Sequence, residues 1–159
     1  MANIIAWHGK TLDEHVKLRD DSAKNGYRFL SLSIHGTIGA PHYSVVMIKR
    51  STIIAQKDWP LLTADEFQNV FNEQAQKGYG PIMISATGSS SDPRFTAVFQ
   101  PQSPISLTRH GLRSGKDNDL NTIQGMNKKA KDDGLILRWA AVYGDSGDPR
   151  YAARLNLKL

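Results

Sequence analysis

The sequence repeats one pattern three times along its 159 residues. A glycine recurs at the same place in each copy, and a second glycine follows ten residues later. A proline stands five residues further on, and an aromatic residue follows two residues after it. The four columns read Gly26, Gly78, Gly134; Gly36, Gly88, Gly144; Pro41, Pro93, Pro149; and Tyr43, Phe95, Tyr151. Because the register holds without a gap, the chain is predicted to contain three copies of one structural unit.

The length suits a single domain, since a chain of this size can bury one core but is short for two. Residues 1–159 are therefore assigned to one domain. The copies are expected at about 4–50, 53–100 and 105–159.

Each copy is predicted to begin with a helix. Thr11 and Glu14 have the spacing of a capping box, in which each side chain bonds the other's backbone, and Thr63 and Glu66 repeat it. Asp119 takes the equivalent place in copy three and is also a good N-cap residue. Each helix should stop at its aligned glycine, which can adopt the left-handed conformation.

Two strand-like runs follow each helix. The first runs are 28–35, 81–87 and 136–143, and the second are 43–48, 95–99 and 151–157. The residues between them are rich in Gly, Ser, Asp and Pro, which favour turns. The unit therefore reads helix, strand, turn, strand, and the links 49–62 and 100–118 are expected to be irregular.

One such unit cannot bury enough apolar surface alone, so the three must share a core. The predicted fold is an α+β domain with approximate internal threefold symmetry, anchored by Tyr43, Phe95 and Tyr151. A linear stack of the repeats is the alternative, and it would leave sheet edges open at each end.

The stretch Gly144-Asp145-Ser146-Gly147 resembles the nucleophile loop of chymotrypsin-like serine proteases. It occupies the same turn as residues 36–39 in copy one and 88–91 in copy two. A nucleophilic serine also needs a base and a group that orients the base, and nothing in the sequence links a histidine to Ser146. We therefore interpret Ser146 as a turn residue and assign no catalytic residue.

Arg94 and Arg150 follow an Asp-Pro pair at equivalent places, where copy one has His42. Under threefold symmetry these three side chains could meet and form an anion or carboxylate site. The structural alternative is three separate pairs, in which each arginine bonds a helix-start carboxylate such as Glu66 or a turn carbonyl.

Five further residues are candidates for ligand contact. His8 and His110 each precede glycine ahead of a helix, which indicates either a structural turn or the rim of a binding site. Trp7, Trp59 and Tyr79 are candidates if they are exposed, since aromatic side chains often dominate binding surfaces.

Composition narrows the function. Formal net charge is +5, but the basic residues form no stripe with aromatic platforms beside it, so no nucleic-acid partner is expected. No apolar run is long enough to span a membrane. There is no cysteine and no metal-like histidine spacing, so no metal or cofactor is expected. No signal peptide is visible, which places the chain in the cytoplasm as it stands, or outside the cell if it is a fragment.

Several motifs resemble the bacterial tandem-repeat domain family. They are Ala6-Trp7-His8-Gly9, Thr108-Arg109-His110-Gly111-Leu112, and Pro93-Arg94-Phe95-Thr96-Ala97-Val98-Phe99. The resemblance covers nearly the whole chain, and copy three departs most. Such repeats often precede a serine β-lactamase-like hydrolase domain, as in fungal polyglycine hydrolases. By that resemblance the chain is the accessory part, and no catalytic residue carries over to it.

Three functions stay open. The preferred one is a non-catalytic module that binds a polypeptide or glycan, and the resemblance implies that it could be accessory to a secreted serine hydrolase. The second is a hydrolase with an unfamiliar site at Ser146 or a histidine. The third is a structural domain that forms oligomers through its hairpin edges.

Overall fold

The first repeat folds as a three-stranded antiparallel sheet with one helix. A computed structural model of the protein describes residues 3–52, 54–102 and 123–157. In repeat one, strand β1 (Ile4–Lys10) leads into helix α1 (Leu12–Lys24), and the hairpin β2 (Tyr27–Thr37) and β3 (Ala40–Lys49) follows. The sheet order is β1-β3-β2, so the last strand lies in the middle.

Repeats two and three follow the same plan as far as they are described. Repeat two contains β4 (Lys57–Leu62), α2 (Ala64–Gln76), β5 (Tyr79–Gly88) and β6 (Pro93–Pro101), with sheet order β4-β6-β5. Repeat three contains α3 (Ile123–Asp132), β7 (Leu135–Asp145) and β8 (Asp148–Leu157), and its hairpin strands pair with each other. This mixture of small sheets and helices confirms the α+β class.

The helix signals in the sequence are confirmed where the structure describes them. Thr11 with Glu14 and Thr63 with Glu66 form complete capping boxes. The helices end before glycines of positive φ, as predicted. Asp119, the third predicted cap, lies outside the described residues.

The six predicted strand runs are also confirmed, and each is longer than its sequence pattern. The ladder continues through the Gly and Pro columns, where Gly36 pairs with Pro41 and Thr37 with Ala40. The backbone hydrogen bonds between the two strands continue there, although the side chains at these positions are small. In repeat one this reduces the expected turn, residues 36–42, to Ile38 and Gly39.

The prediction for the segment ahead of each of the first two helices was wrong, and the segment ahead of the third lies outside the described residues. The turn expected at His8 and Gly9 lies inside β1, and the supposedly irregular link ends in β4. Both strands pair with the central strand of their sheet and carry an irregular register close to the helix. Gly9 and the equivalent Leu61 have positive φ at this irregularity, so turn-like chemistry appears within a strand.

The repeats contact one another in chain order. Met83 and Val98 of repeat two complete the apolar cluster of repeat one, beside Tyr43 and Met47. In the same way, residues of repeat three complete the cluster of repeat two, which contains Phe67, Phe95 and Phe99 together with Tyr143 and Ala152. Each sheet therefore has an inner face, turned to its own helix, and an outer face on the other side. The inner faces of the first two sheets contact the following repeat, and the outer faces of the last two contact the preceding repeat.

Strand edges are joined across repeats by side chains. The backbone N–H of Ile34 donates to Ser85 Oγ at 2.9 Å, and Thr87 Oγ1 donates to the Gly36 carbonyl at 2.6 Å. Trp139 Nε1 donates to the Ile84 carbonyl at 2.5 Å. Side chains thus satisfy two backbone groups at the edge of β2 and one at the edge of β5 without continuing the sheet.

Threefold packing about one axis is not confirmed. Within the described ranges, the main contacts between repeats join β2 to β5, and β5 to β7 and β8. This order agrees with the linear stack, which was the alternative arrangement.

Candidate functional site

Each hairpin requires a glycine where its first strand approaches the turn. Gly88 has a φ of 92°, and a Cβ built on it would lie 2.5 Å from the Asp92 carbonyl oxygen. The equivalent distances are 2.7 Å at Gly36 and 2.6 Å at Gly144. Such contacts exclude any side chain, which explains the second glycine column of the sequence.

Each turn lies against the turn of the neighbouring repeat. A Cβ on Gly88 would contact Ile38 of the preceding turn at 3.2 Å, and one on Gly144 would lie 3.5 Å from the Ser90 nitrogen. Ile38 and Ser90 hold the same place in their repeats, so the same neighbour relation occurs twice.

Together the turns line an open groove of about 690 Å³, which we call the hairpin groove. Its walls are residues 34–39 of repeat one, 86–89 and Asp92 of repeat two, and 142–145 of repeat three. Thr37 and Asp145 are exposed there, whereas Thr87 and Tyr143 are buried. The lining offers small polar side chains, glycine backbone and two carboxylates.

The predicted trio His42, Arg94 and Arg150 lies beside these turns, at equivalent places. His42 Cδ2 would be 3.5 Å from a Cβ on Gly36, and Arg150 Cγ 3.6 Å from one on Gly144. Arg94 pairs with Asp92 and donates to the Pro93 carbonyl, and Arg150 pairs with Asp148 at 3.0 Å. Each arginine thus pairs with an aspartate of its own hairpin, and Arg94 also bonds a turn carbonyl. The role of the trio in binding stays a prediction.

Arg94 also acts on the start of helix α2. The pKa of Glu66 is lowered first by the backbone N–H of Thr63, then by the Thr63 hydroxyl, and the charge of Arg94 adds to this. The Arg94 guanidinium therefore stabilises the ionised Glu66 of the helix cap and also pairs with Asp92 in the turn.

His8 lies on the outer face of the first sheet with His35 and His42. The rings of His8 and His35 stack at 5.6 Å between centroids, and His42 lies 5.7 Å from His35. His8 Nδ1 is 2.7 Å from Ser44 Oγ, and His42 Nδ1 is 3.2 Å from the Gly9 carbonyl. Within the described part of the chain, no group of His, Asp and Glu side chains could hold a metal ion.

The three aromatic candidates are partly buried. Trp7 packs against the first apolar cluster, and Trp59 meets Phe99 edge to face at 5.2 Å. The Tyr79 ring lies 4.1 Å beneath the Lys57 ammonium. Trp59 also lines a pocket of about 350 Å³ between repeats one and two, which lies apart from the hairpin groove. The structure does not bring these residues together with the trio, and His110 lies outside the described residues.

Ser146 is exposed at the tip of the third hairpin. Among the described residues, no hydrogen bond joins it to a histidine. The buried imidazole that a carboxylate supports belongs to His15, which lies 3.2 Å from Asp58 in another part of the stack. His15 and Asp58 are inaccessible, with 0 % and 1 % side-chain exposure.

Sequence reasoning missed Thr37, His35 and Asp58. Thr37 and His35 were readable as alternate positions of a strand ending at a turn. Asp58 was not, because its partner lies 43 residues earlier in the chain.

Comparison with known families identifies the repeat. The profile of a family described as "polyglycine hydrolase-like, structural repeat" matches three times, at residues 4–50, 61–102 and 119–153. The chain belongs to this family. A search among curated proteins found no match.

The polyglycine hydrolase-like matches coincide with recognisable elements. The first covers β1 to β3, and the second runs from the end of β4 through β6. The resemblance drawn from the sequence motifs is thus confirmed. None of the helices in the described ranges is long and apolar enough to cross a membrane.

Proposed function

We propose that the chain is a non-catalytic binding module whose hairpin groove holds an extended polypeptide segment. The observation that carries the proposal is that equivalent turns of all three repeats line one groove. Because the surface includes all three repeats, one elongated ligand could contact three equivalent places along it.

The lining favours a polypeptide over a glycan. Extended peptides are held largely through main-chain hydrogen bonds, and the groove presents backbone at Gly36, Gly88 and Gly144 beside small polar side chains. Tyr143, the one Phe, Trp or Tyr among the described wall residues, is only 6 % exposed and offers little stacking surface. A glycan ligand is the alternative outcome of the test.

The family description suggests the kind of polypeptide. The family description names polyglycine hydrolases, so a glycine-rich segment is the first ligand to test. We further propose that the module acts as an accessory to a hydrolase and positions such a segment for cutting. Absence of a histidine bonded to Ser146 among the described residues favours this over a hydrolase site within the chain.

The proposal is tested by titrating the 15N-labelled chain with a glycine-rich peptide and, separately, with an N-acetylglucosamine oligosaccharide. Chemical-shift changes should cluster at residues 34–39, 86–92 and 142–145 with the peptide. Thr37→Arg places a large side chain in the groove and should weaken binding by about tenfold or more. Asn69→Arg, which adds the same charge on the exposed surface of α2, should bind like the wild type.

Three results would overturn it. Shifts confined to another surface would move the site, and shifts with the oligosaccharide alone would change the ligand class. Peptide cleavage that is lost in Ser146→Ala would show that the chain is itself a hydrolase.

A further inference from the structure

The outer face of the first sheet is open, although the same face is buried in the other two repeats. Ser44 is half-buried, whereas the equivalent Thr96 and Ala152 are each 0 % exposed. His35 is exposed, whereas Thr87 and Tyr143 are 8 % and 6 % exposed. In repeats two and three, the preceding repeat covers these positions.

The inner face of the third sheet shows the opposite pattern. Leu32 and Ile84 are 3 % and 2 % exposed, whereas the equivalent Ala140 is exposed. Val142 is 57 % exposed, although its equivalents in the first two repeats, Ile34 and Ala86, are 4 % and 6 % exposed. In repeats one and two, the following repeat covers these positions.

The two open faces are thus the two halves of an interface that the chain already forms twice. We propose that the partner for both is a second copy of this chain. The inner face of repeat three in one molecule stacks on the outer face of repeat one in the next. Continuity with the two internal interfaces specifies both the partner and its orientation.

The open faces keep groups that could repeat the internal contacts. Ser33 holds the place of Ser85, whose hydroxyl accepts from the Ile34 N–H, so the Ser33 hydroxyl can accept from Val142 of the next molecule. His35 holds the place of Thr87, which donates to the Gly36 carbonyl. The His35 imidazole can donate in the same way to Gly144. Two exposed aliphatic side chains, Ile4 and Leu30, lie on strands of the first sheet and add apolar area.

Such an interface joins different surfaces on the two molecules. A head-to-tail contact of this kind closes into a ring only if its rotation allows it and otherwise extends as a filament. Self-association should therefore continue past the dimer, unlike the closed dimer that two identical faces would form.

The test is sedimentation velocity on the full chain with no peptide or glycan present. Between roughly 10 and 500 μM, the weight-average mass should rise more than about twofold. Ser33→Arg and Ala140→Arg each place a long charged side chain at an exposed position of one open face. Each variant alone should stay monomeric, and Asn69→Arg should associate like the wild type.

Mixing the two variants gives the sharpest outcome. Ser33→Arg leaves the third-repeat face intact, and Ala140→Arg leaves the first-repeat face intact, so an equal mixture should form a dimer and stop there. A wild type that stays monomeric throughout would overturn the proposal, as would a closed dimer or a mixture that stays monomeric. Neither substituted residue lines the hairpin groove, so sedimentation of these variants tests self-association without altering the groove lining.

Discussion

Thr87 donates a 2.6 Å hydrogen bond to the Gly36 carbonyl and so joins the face of one hairpin to the edge of the preceding one. Both residues also line the hairpin groove. Packing between repeats and the geometry of the candidate site are therefore set by the same few residues at the hairpin ends.

The turn glycines should be intolerant of any side chain. Gly88→Ala forces a positive φ on alanine and places its Cβ 2.5 Å from the Asp92 carbonyl. We expect the free energy of unfolding to fall by about 3 kcal/mol, measured by urea denaturation. Gly39→Ala is the matched control, since nothing lies within 4 Å of its Cβ, and its effect should stay within about 0.5 kcal/mol. Equal effects of the two substitutions would contradict the steric exclusion of a side chain at Gly88.

The buried carboxylate of Asp58 should matter most to the interface between repeats one and two. It accepts from Arg19 at 2.8 Å and lies 3.2 Å from His15 Nε2. Asp58→Ala leaves the buried His15 without its carboxylate partner and leaves Arg19 paired with Asp20 alone. We expect a loss of about 2–3 kcal/mol in the free energy of unfolding.

Asp20→Ala is its control, because Asp20 also pairs with Arg19 but is 52 % exposed. Its effect should stay below about 1 kcal/mol in the same denaturation experiment. A small loss for Asp58→Ala would mean that the two repeats are not held together through this carboxylate.

The cap of helix α2 should contribute a pH-dependent part of stability. The folded-state pKa of Glu66 lies below its ordinary value, chiefly because the Thr63 N–H and then the Thr63 hydroxyl bond to the carboxylate. A lowered pKa gives stability that is present above the ordinary glutamate value of 4.5 and is lost as pH falls through the folded-state value.

Glu66→Gln keeps an acceptor oxygen but cannot titrate. Thermal unfolding of both proteins from pH 7 to pH 3 should show the wild type losing its advantage over Glu66→Gln in the acid range. Parallel curves would contradict the capping contribution.

Tyr43 should make the protein sensitive to alkali. Burial raises its pKa to about 12 from the ordinary 10, because the phenolate would be desolvated beside His15. The unfolded chain therefore loses this proton first, so the stability is complete below pH 10 and declines between pH 10 and 12. Tyr43→Phe should show a shallower decline in that range by chemical denaturation. An unchanged slope would mean that Tyr43 titrates normally in the folded protein.

The sequence alone determined the features that depend on short-range physics. Capping boxes need a threonine and a glutamate three residues apart, and Thr63 with Glu66 meets that need within one turn of helix. The hairpin glycines could also be identified from the sequence, because they recur at the same place in each repeat. In the structure, a backbone carbonyl a few residues later excludes a side chain at each of them. Because these rules repeat, the number of repeats was also readable.

Part of the local structure was misread because two signals competed. Ile5 and Trp7 alternate with outward residues as a strand should, but Gly9 and the polar residues after it suggested a turn. Pairing of β1 with β3 outweighs that signal. The sequence did not reveal the pairing, because the partner strand lies about forty residues further along the chain.

Only the tertiary structure decided how the units associate. The residue type at position 35 does not indicate that the equivalent residues of the later repeats, Thr87 and Tyr143, are buried. Asp58 likewise gains its meaning from His15, which is distant in the chain but adjacent in the stack. Burial and long-range pairing depend on which surface meets which, and a periodic sequence allows both a closed ring and an open stack until those contacts form.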